Sequence, residues 1–170
     1  MQTTRCKLDP LQQSDLKYMQ RIYSSHEVRK YLGGVVPEEY HLNKFLDALE
    51  RSSTKESNIW TVRLKENNDF IGVVSLDNHI DGRFKEISYE FLPQSWGSGY
   101  AAEVVGQLLM YALHELKLGK VIAETQTANT ASCRLFEKVG MRLEHKLQRY
   151  GAEQALYSFI DPGFSINGCG

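Results

Sequence analysis

The strongest constraint on the fold is a long amphipathic helix pattern that lies between two strand patterns. The helix is predicted over Ser98–Leu116, and the flanking runs Glu86–Leu92 and Lys120–Thr125 are short and rich in residues that favour strands. Apolar side chains recur at helical spacing at Ala101, Val105, Leu108, Ala112 and Leu116. This order predicts a strand–helix–strand crossover near the middle of a mixed fold.

The rest of the chain supplies further helices and strands on either side of this crossover. The first 50 residues carry helical patterns, including an apolar stripe of Leu42, Phe45, Leu46 and Leu49. Strands are predicted at Ile59–Leu64, Phe70–Leu76, Arg142–Leu147 and Ala155–Ile160, and a helix follows Asn129. The predicted order is α-α-β-β-β-α-β-α-β-β, with an additional N-terminal strand left open. We expect an α/β (α+β) fold with a mixed, mostly antiparallel sheet flanked by helices.

Composition excludes several classes of protein. A chain of 170 residues predicts one domain, residues 1–162, with a short C-terminal tail, 163–170. A net charge of −1 argues against nucleic acid as a partner, and no apolar run is long enough to span a membrane. Three scattered cysteines form neither a disulfide framework nor a metal motif, and the five histidines lack ligand spacing. We therefore expect a cytoplasmic protein without a metal.

A glycine-containing turn, Gln94–Ala101, leads into the long helix. Gly97 and Gly99 allow a tight turn and a close approach of a ligand to the backbone. The first turn of a helix leaves N–H groups unpaired and carries partial positive charge. The segment therefore predicts a phosphate or pyrophosphate site without lysine, although a tight connection without a ligand would have the same residues.

The same letters also fit a dinucleotide-binding fingerprint, since Gly97, Gly99 and Ala102 follow the G-x-G-x-x-G/A pattern. A nicotinamide-binding oxidoreductase is therefore an alternative, with Glu124 near the place of the ribose-binding acid. Against it, Pro93–Trp96 separate the strand from the fingerprint, and three strand patterns precede it. Too few residues follow Glu124 to complete a doubly wound sheet.

A second interpretation comes from three ordered blocks between about residues 59 and 141. The turn Gln94-x-x-Gly97-x-Gly99 resembles the Q/R-x-x-G-x-G/A motif of the GNAT N-acetyltransferases. The segments 129–132 and 136–141 resemble the downstream block of that family. Segments 71–76 and 87–89 resemble strands of its ribosomal-protein-alanine/serine acetyltransferase (RimJ/RimL-like) branch. The resemblance implies acetyl transfer from acetyl-CoA to a primary amine, directly within a ternary complex, by a monomer or homodimer.

The resemblance also assigns residues to acetyl-CoA. The loop amides from Gly97 to Ala102 would bind the pyrophosphate, and the backbone of Phe91 and Leu92 would pair with the pantetheine amides. Asn129 would approach the pantetheine arm or simply cap its helix, and Phe136 would contact the arm or fill the core. The predicted cofactor-binding residues are Phe91, Leu92, Gln94, Trp96, Gly97, Ser98, Gly99, Tyr100, Ala101, Ala102, Asn129 and Phe136.

Two residues are predicted to be catalytic. The attacking amine must lose a proton, and Glu86 is the first candidate for the base, with Glu90 second and water alone as a further possibility. Family members often place a tyrosine where this chain has Phe136, so Ser132 is expected to donate a hydrogen bond to the departing thiolate instead. The missing tyrosine leaves open a non-catalytic CoA-binding module, and Cys133 a less favoured covalent route.

The acceptor is not determined by the sequence: a protein α-amine and a small-molecule amine both remain. Its specificity is expected to come from the least regular segments, residues 22–40, 77–85 and 148–154. The candidate side chains are Tyr31, Trp60, His79 and Tyr150.

Overall fold

A seven-stranded sheet forms the centre of the computed structural model, which describes residues 1–54 and 57–161. The predicted tail, 163–170, lies outside the described residues. The strands are β1 (Cys6–Pro10), β2 (Asn58–Leu64), β3 (Phe70–Asn78), β4 (Lys85–Phe91), β5 (Lys120–Gln126), β6 (Arg142–Arg149) and β7 (Ala152–Ile160). The helices are α1 (Leu16–Ser24), α2 (His26–Arg29), α3 (His41–Ser53), α4 (Tyr100–His114) and α5 (Thr130–Lys138).

The strand order across the sheet is β1-β2-β3-β4-β5-β7-β6, and every neighbouring pair is antiparallel except β4 and β5. These two strands are parallel because α4 carries the chain back to the end at which β4 began. They pair at only two positions, Lys85 with Val121 and Glu86 with Ile122. Beyond Glu86 the two strands diverge, and a cleft opens between them in the middle of the sheet.

The two faces of the sheet have separate cores. On the back face, α4 and α5 cover a cluster that includes Ile87, Phe91 and Leu108. On the front face, α1 and α3 cover a smaller cluster around Tyr23 and Phe45. Because side chains alternate along a strand, Glu86, Ser88 and Glu90 of β4 lie on the front face, and Ile87, Tyr89 and Phe91 lie on the back face.

The predicted fold class is confirmed, and so is the additional N-terminal strand, which is β1. The differences lie at the ends of elements. The long helix begins at Tyr100 rather than Ser98, because Gly97 and Gly99 adopt left-handed backbone angles that a helix cannot continue. The last two strands extend to a two-residue turn at Tyr150 and Gly151, so both are longer than predicted.

The predicted buried stripe of α3 is wrong in part. Phe45 is buried as expected, but Leu42 is 52% exposed and Leu46 is 43% exposed. The buried positions are His41, Phe45 and Ala48, a face rotated from the predicted one. His41 points inward because its Nε2 hydrogen bonds to the Val36 carbonyl at 2.8 Å, which satisfies a polar group in the core.

Gly72 of β3 supports the sheet beside the cleft, and we expect Gly72→Ala to lower the unfolding free energy by about 1–3 kcal/mol. A Cβ at this position would lie 2.5 Å from the Glu90 carbonyl oxygen and 2.9 Å from the Phe91 Cα, both of them backbone atoms. The matched control is Gly106→Ala in α4, where no atom would lie within 4 Å and a gain of about 0.5–1 kcal/mol is expected. Urea denaturation measures both variants, and equal stability of Gly72→Ala and wild type would contradict the packing argument.

Candidate active site

The cleft between β4 and β5 leaves backbone groups of β4 available to a ligand. The Leu92 N–H donates to the Ile71 carbonyl at 2.8 Å, so the backbone groups of Glu90 and Ser88 also face β3. The groups of Tyr89 and Phe91 therefore face the cleft. The Phe91 carbonyl accepts a hydrogen bond from Trp96 Nε1 at 2.7 Å, which leaves its N–H for a ligand.

The structure does not support the predicted role of Leu92 in this pairing. Its N–H is taken by Ile71, and its carbonyl accepts from both the backbone and the hydroxyl of Ser95, at 3.0 and 2.7 Å. Leu92 instead packs into the front core, where it is 4% exposed. The cleft-facing backbone is thus that of Tyr89 and Phe91.

The glycine turn lies at the start of α4 and has the geometry of an anion site. Gly97 and Gly99 have φ angles of +74° and +80°, and no side chain caps the helix. The Trp96 N–H donates to the Pro93 carbonyl at 3.0 Å, and the next amide with a backbone partner is that of Glu103, which donates to the Gly99 carbonyl at 3.1 Å. Within residues 1–54 and 57–161, the N–H groups from Gly97 to Ala102 have no recorded acceptor, so they can bind a phosphate group.

Arg5 hydrogen bonds to this turn and stabilises it. The sequence alone did not identify Arg5 as a site residue. Its Nη1 donates to the Ser98 carbonyl at 3.0 Å, and its Nε donates to Glu103 Oε2 at 2.7 Å. The guanidinium also lies over the Tyr100 ring, 4.3 Å from the centroid. Arg5 therefore holds the turn and adds positive charge beside it, which only the folding of the N-terminus onto α4 brings about.

The other predicted cofactor residues have separate positions. Gln94 is exposed, and Trp96 is 51% exposed beside the glycine turn. Asn129 caps α5, because its side-chain oxygen accepts a hydrogen bond from the Ser132 N–H at 3.3 Å. Phe136 is 2% exposed and packs against the rings of Tyr89 and Tyr157, which favours the core role.

Ser132 and Tyr89 meet on the back face of the cleft. The Tyr89 hydroxyl donates to Ser132 Oγ at 2.8 Å, and Ser132 is 9% exposed. Burial raises the pKa of Tyr89, so its phenol remains protonated at neutral pH. Tyr89 was not a predicted site residue, although strand alternation places it on the face that α5 covers.

Glu86 lies on the front face, where the paired part of β4 and β5 ends. Burial is the main cause that raises the pKa of Glu86, to about 7, and the nearby negative charge of Glu124 raises it further, whereas His79 lowers it. Glu90, the second candidate base, forms an ion pair with Arg29 at 3.0 Å. The geometry therefore favours Glu86 as the carboxylate available for proton transfer.

The candidate specificity residues are divided between the core and the surface. Trp60 is 7% exposed and packs edge to face against Tyr111, so it belongs to the back core. Tyr150 is 75% exposed at the β6–β7 turn. The Tyr31 carbonyl accepts a hydrogen bond from Gln126 Nε2 at 3.1 Å. His79 is buried next to Glu124, with Nε2 and Oε2 3.1 Å apart.

Comparison with known proteins identifies the class to which this fold and site belong. Residues 5–142 match the family described as the acetyltransferase (GNAT) domain, so the chain belongs to the GNAT acetyltransferases. This assignment makes it an enzyme and rules out the nicotinamide-dependent alternative. The Bacillus subtilis (strain 168) protein named uncharacterized N-acetyltransferase YoaA is 25% identical in an alignment that covers 95% of this chain and 97% of that protein.

Solved structures show the same fold. A GNAT-family acetyltransferase from Bacillus anthracis superposes with a TM-score of 0.81 at 25% identity. The superposition covers 94% of this chain and 97% of that protein. Spermidine N-acetyltransferase from Vibrio cholerae, solved with CoA and spermine, has a TM-score of 0.78 at 17% identity. The superposition covers 92% of this chain and 96% of that enzyme. Within the described ranges, no helix has the length and apolarity to cross a membrane, and no cluster of three metal-ligating residues occurs.

The raised pKa of Glu86 predicts an effect of pH on stability. Between the ordinary carboxyl pKa of 4.5 and the folded-state value of about 7, the folded protein binds more protons than the unfolded chain at this residue. Its contribution to the unfolding free energy therefore falls as pH rises through this window. Glu86→Gln removes that loss, so the stability of the variant relative to wild type should increase from pH 5 to pH 8.

Urea denaturation at several pH values measures this difference. Glu153→Gln is the matched control, because Glu153 has a side chain that is 44% exposed and is paired with Lys146 at the surface. A stability difference between Glu86→Gln and wild type that does not change with pH would contradict the assignment.

Proposed function

We propose that the protein transfers the acetyl group of acetyl-CoA to a primary amine by direct attack within a ternary complex. The observation that carries the proposal is the cleft, which has a phosphate-binding turn at one end. It also has a carboxylate with a pKa of about 7 on the front face and a hydroxyl pair on the back face. Acetyl-CoA supplies the activated acyl group and a thiolate leaving group.

The residues of the cleft fit the diphosphate and amide groups of this cosubstrate. The N–H groups from Gly97 to Ala102 bind the pyrophosphate, and Arg5 adds a cation beside them. The free N–H of Phe91 and the cleft-facing backbone of Tyr89 hydrogen bond to the amides of the pantetheine arm in the manner of an added strand. Trp96 lies next to this path and fixes the Phe91 carbonyl.

Glu86 acts as the general base. A primary amine is protonated near pH 7, so the attacking nitrogen must lose one proton before or during attack. A carboxylate with a pKa of about 7 is well matched to accept that proton at neutral pH. The nitrogen lone pair then forms the bond to the acetyl carbonyl carbon, and the carbon–sulfur bond breaks with its electrons on the sulfur. The second proton of the nitrogen passes to this thiolate, so the products are the neutral amide and CoA thiol.

Ser132 stabilises the departing sulfur and Tyr89 orients Ser132. Because the Tyr89 hydroxyl donates to Ser132 Oγ, the proton of Ser132 is free to hydrogen bond to the thiolate. This pair takes the place of the tyrosine that the family often has at the position of Phe136. The nearby Tyr157 hydroxyl donates to Glu137 Oε1 at 3.1 Å, and among the described residues no base hydrogen bonds to the Cys133 thiol, which favours direct transfer over a covalent cysteine intermediate.

The acceptor class is a primary amine, either a protein N-terminal α-amine or a small-molecule amine. The spermidine enzyme among the structural neighbours supports a small-molecule amine as the acceptor. The strand motifs that resemble the ribosomal-protein branch support a protein N-terminal α-amine. The cytoplasmic location and the choice between monomer and homodimer remain predictions.

An acceptor screen tests this function. Wild-type protein is incubated with acetyl-CoA and a panel of spermidine, propylamine and short peptides that begin with serine or alanine. Free thiol is measured, and mass spectrometry confirms the acetylated product. Glu86→Gln should lower kcat/KM by about 100-fold and abolish its rise around pH 7, whereas Glu153→Gln should behave as wild type. CoA binding without thiol release on any amine would indicate a non-catalytic module instead.

The hydroxyl pair predicts a non-additive effect on the rate. Ser132→Ala and Tyr89→Phe should each lower kcat by about 10-fold at saturating acetyl-CoA, and the double variant should be no slower than Ser132→Ala. The reason is that Tyr89 acts through Ser132. Tyr111→Phe, which removes a phenol from the same core, serves as the control. Independent, multiplying effects of the two substitutions would argue against a shared role.

A further inference from the structure

Glu124 of β5 carries a buried carboxylate oxygen that has no partner. Its side chain is 8% exposed, and among the described residues no group hydrogen bonds to Oε1. A buried acceptor without a donor is rare in folded proteins because it has lost its hydrogen bonds to water. The Glu124 carboxylate therefore lacks a hydrogen bond that a donor brought in by a ligand would supply.

The other oxygen of the same carboxylate is firmly held. Oε2 accepts from Arg149 Nη1 at 2.7 Å and lies 3.1 Å from His79 Nε2. His79 Nδ1 is in turn 2.9 Å from Asp81 Oδ1. Burial opposes the charged imidazole, but the hydrogen bonds to Asp81 and Glu124 outweigh it and raise the pKa of His79. Glu124 cannot turn Oε1 toward these donors without losing the bonds to Oε2.

Glu124 also adjoins the proposed base. Glu86 pairs with Ile122 in the parallel register, and Glu124 lies two residues further along β5, so both carboxylates are on the front face. The negative charge of Glu124 contributes to the raised pKa of Glu86, as expected for two carboxylates that lie close together on one face. The unpartnered oxygen thus belongs to a residue beside the group that must take a proton from the amine.

The charge around these two residues favours a cation. Four carboxylates, of Glu86, Glu124, Asp77 and Asp81, act in this region, and Asp77 pairs with Arg51 at 3.8 Å. Among the described residues, Glu124 contacts one permanent cation, Arg149, and the imidazole of His79, and both lie at Oε2. A positively charged donor would satisfy the free oxygen Oε1.

We infer that Glu124 Oε1 binds the acceptor amine in its protonated form, so that the site selects aliphatic amines that arrive as cations. The inference rests on the proposed acetyl transfer. One N–H of the ammonium group donates to Glu124, and another proton passes to Glu86, which frees the nitrogen lone pair for attack. The proton that the nitrogen loses after attack goes to the departing thiolate, which leaves as the thiol of CoA. The acetylated product is a neutral amide, so it loses this charge–charge attraction and is released more readily.

Glu124→Gln tests this role, since the variant keeps the shape of the side chain. Its amide oxygen will remain with Arg149 and His79, and its NH₂ group will replace Oε1 and oppose an ammonium donor. We expect the KM for the amine to rise about 10- to 100-fold, with kcat changed less than about threefold. The KM for acetyl-CoA should not change, because none of the contacts of Glu124 among the described residues involves the glycine turn.

The kinetics use whichever of spermidine, propylamine and a serine-initiated peptide the wild type acetylates fastest. Glu124→Asp keeps the charge but withdraws the oxygen, so its KM for the amine should lie between those of wild type and Glu124→Gln. Glu153→Gln, on the neighbouring strand β7, is the matched surface control. Thermal unfolding verifies that each variant is folded. If Glu124→Gln does not fold, the KM of Glu124→Asp for the amine tests the inference instead.

An unchanged KM for the amine in both Glu124 variants would overturn the inference and assign the free oxygen to a structural water. An equal loss of affinity for acetyl-CoA would overturn it as well, since that result indicates a collapsed site. Failure of the wild type to acetylate any of the three amines would instead refute the proposed function, and this inference with it.

Discussion

The divergence of two parallel strands after two paired positions is the constraint on which the rest of the structure depends. Backbone groups of β4 that would otherwise complete the sheet are left facing a cleft, and in water-poor surroundings such groups need a partner. The same crossover that makes β4 and β5 parallel brings the N-terminus of α4 to one end of the cleft. A strand edge with available hydrogen-bonding groups and a turn with unpaired N–H groups therefore arise together.

The open cleft also lets groups on opposite faces of the sheet act on one reaction. Glu86 belongs to the front face, and the pair formed by Tyr89 and Ser132 belongs to the back face. In a continuous sheet, backbone would separate them. Here the reacting bond can lie between a proton acceptor and a hydrogen-bond donor, which is the arrangement that acyl transfer from a thioester to an amine requires.

Partial burial of acidic groups has opposite consequences for stability and chemistry. The environment that raises the pKa of Glu86 to about 7 makes its ionised form unfavourable in the folded protein, yet a pKa in this range is the one that suits a proposed base at neutral pH. Glu124 is stabilised through one oxygen by Arg149, while the other oxygen remains without a donor. Both residues fit a site whose electrostatics are completed by a cationic substrate.

Local patterns in the sequence determined the element order, the glycine turn and the Asn129 cap, because spacing and turn chemistry depend on near neighbours. They also pointed to Glu86 and Ser132 through resemblance to a family. Tertiary structure alone decided which face of α3 is buried, that Arg5 clamps the turn, and that Tyr89 and Glu124 join the site. Those contacts link residues such as Arg5 and Glu103, 98 positions apart, and no periodicity encodes a pairing that arises only when the sheet and helices pack.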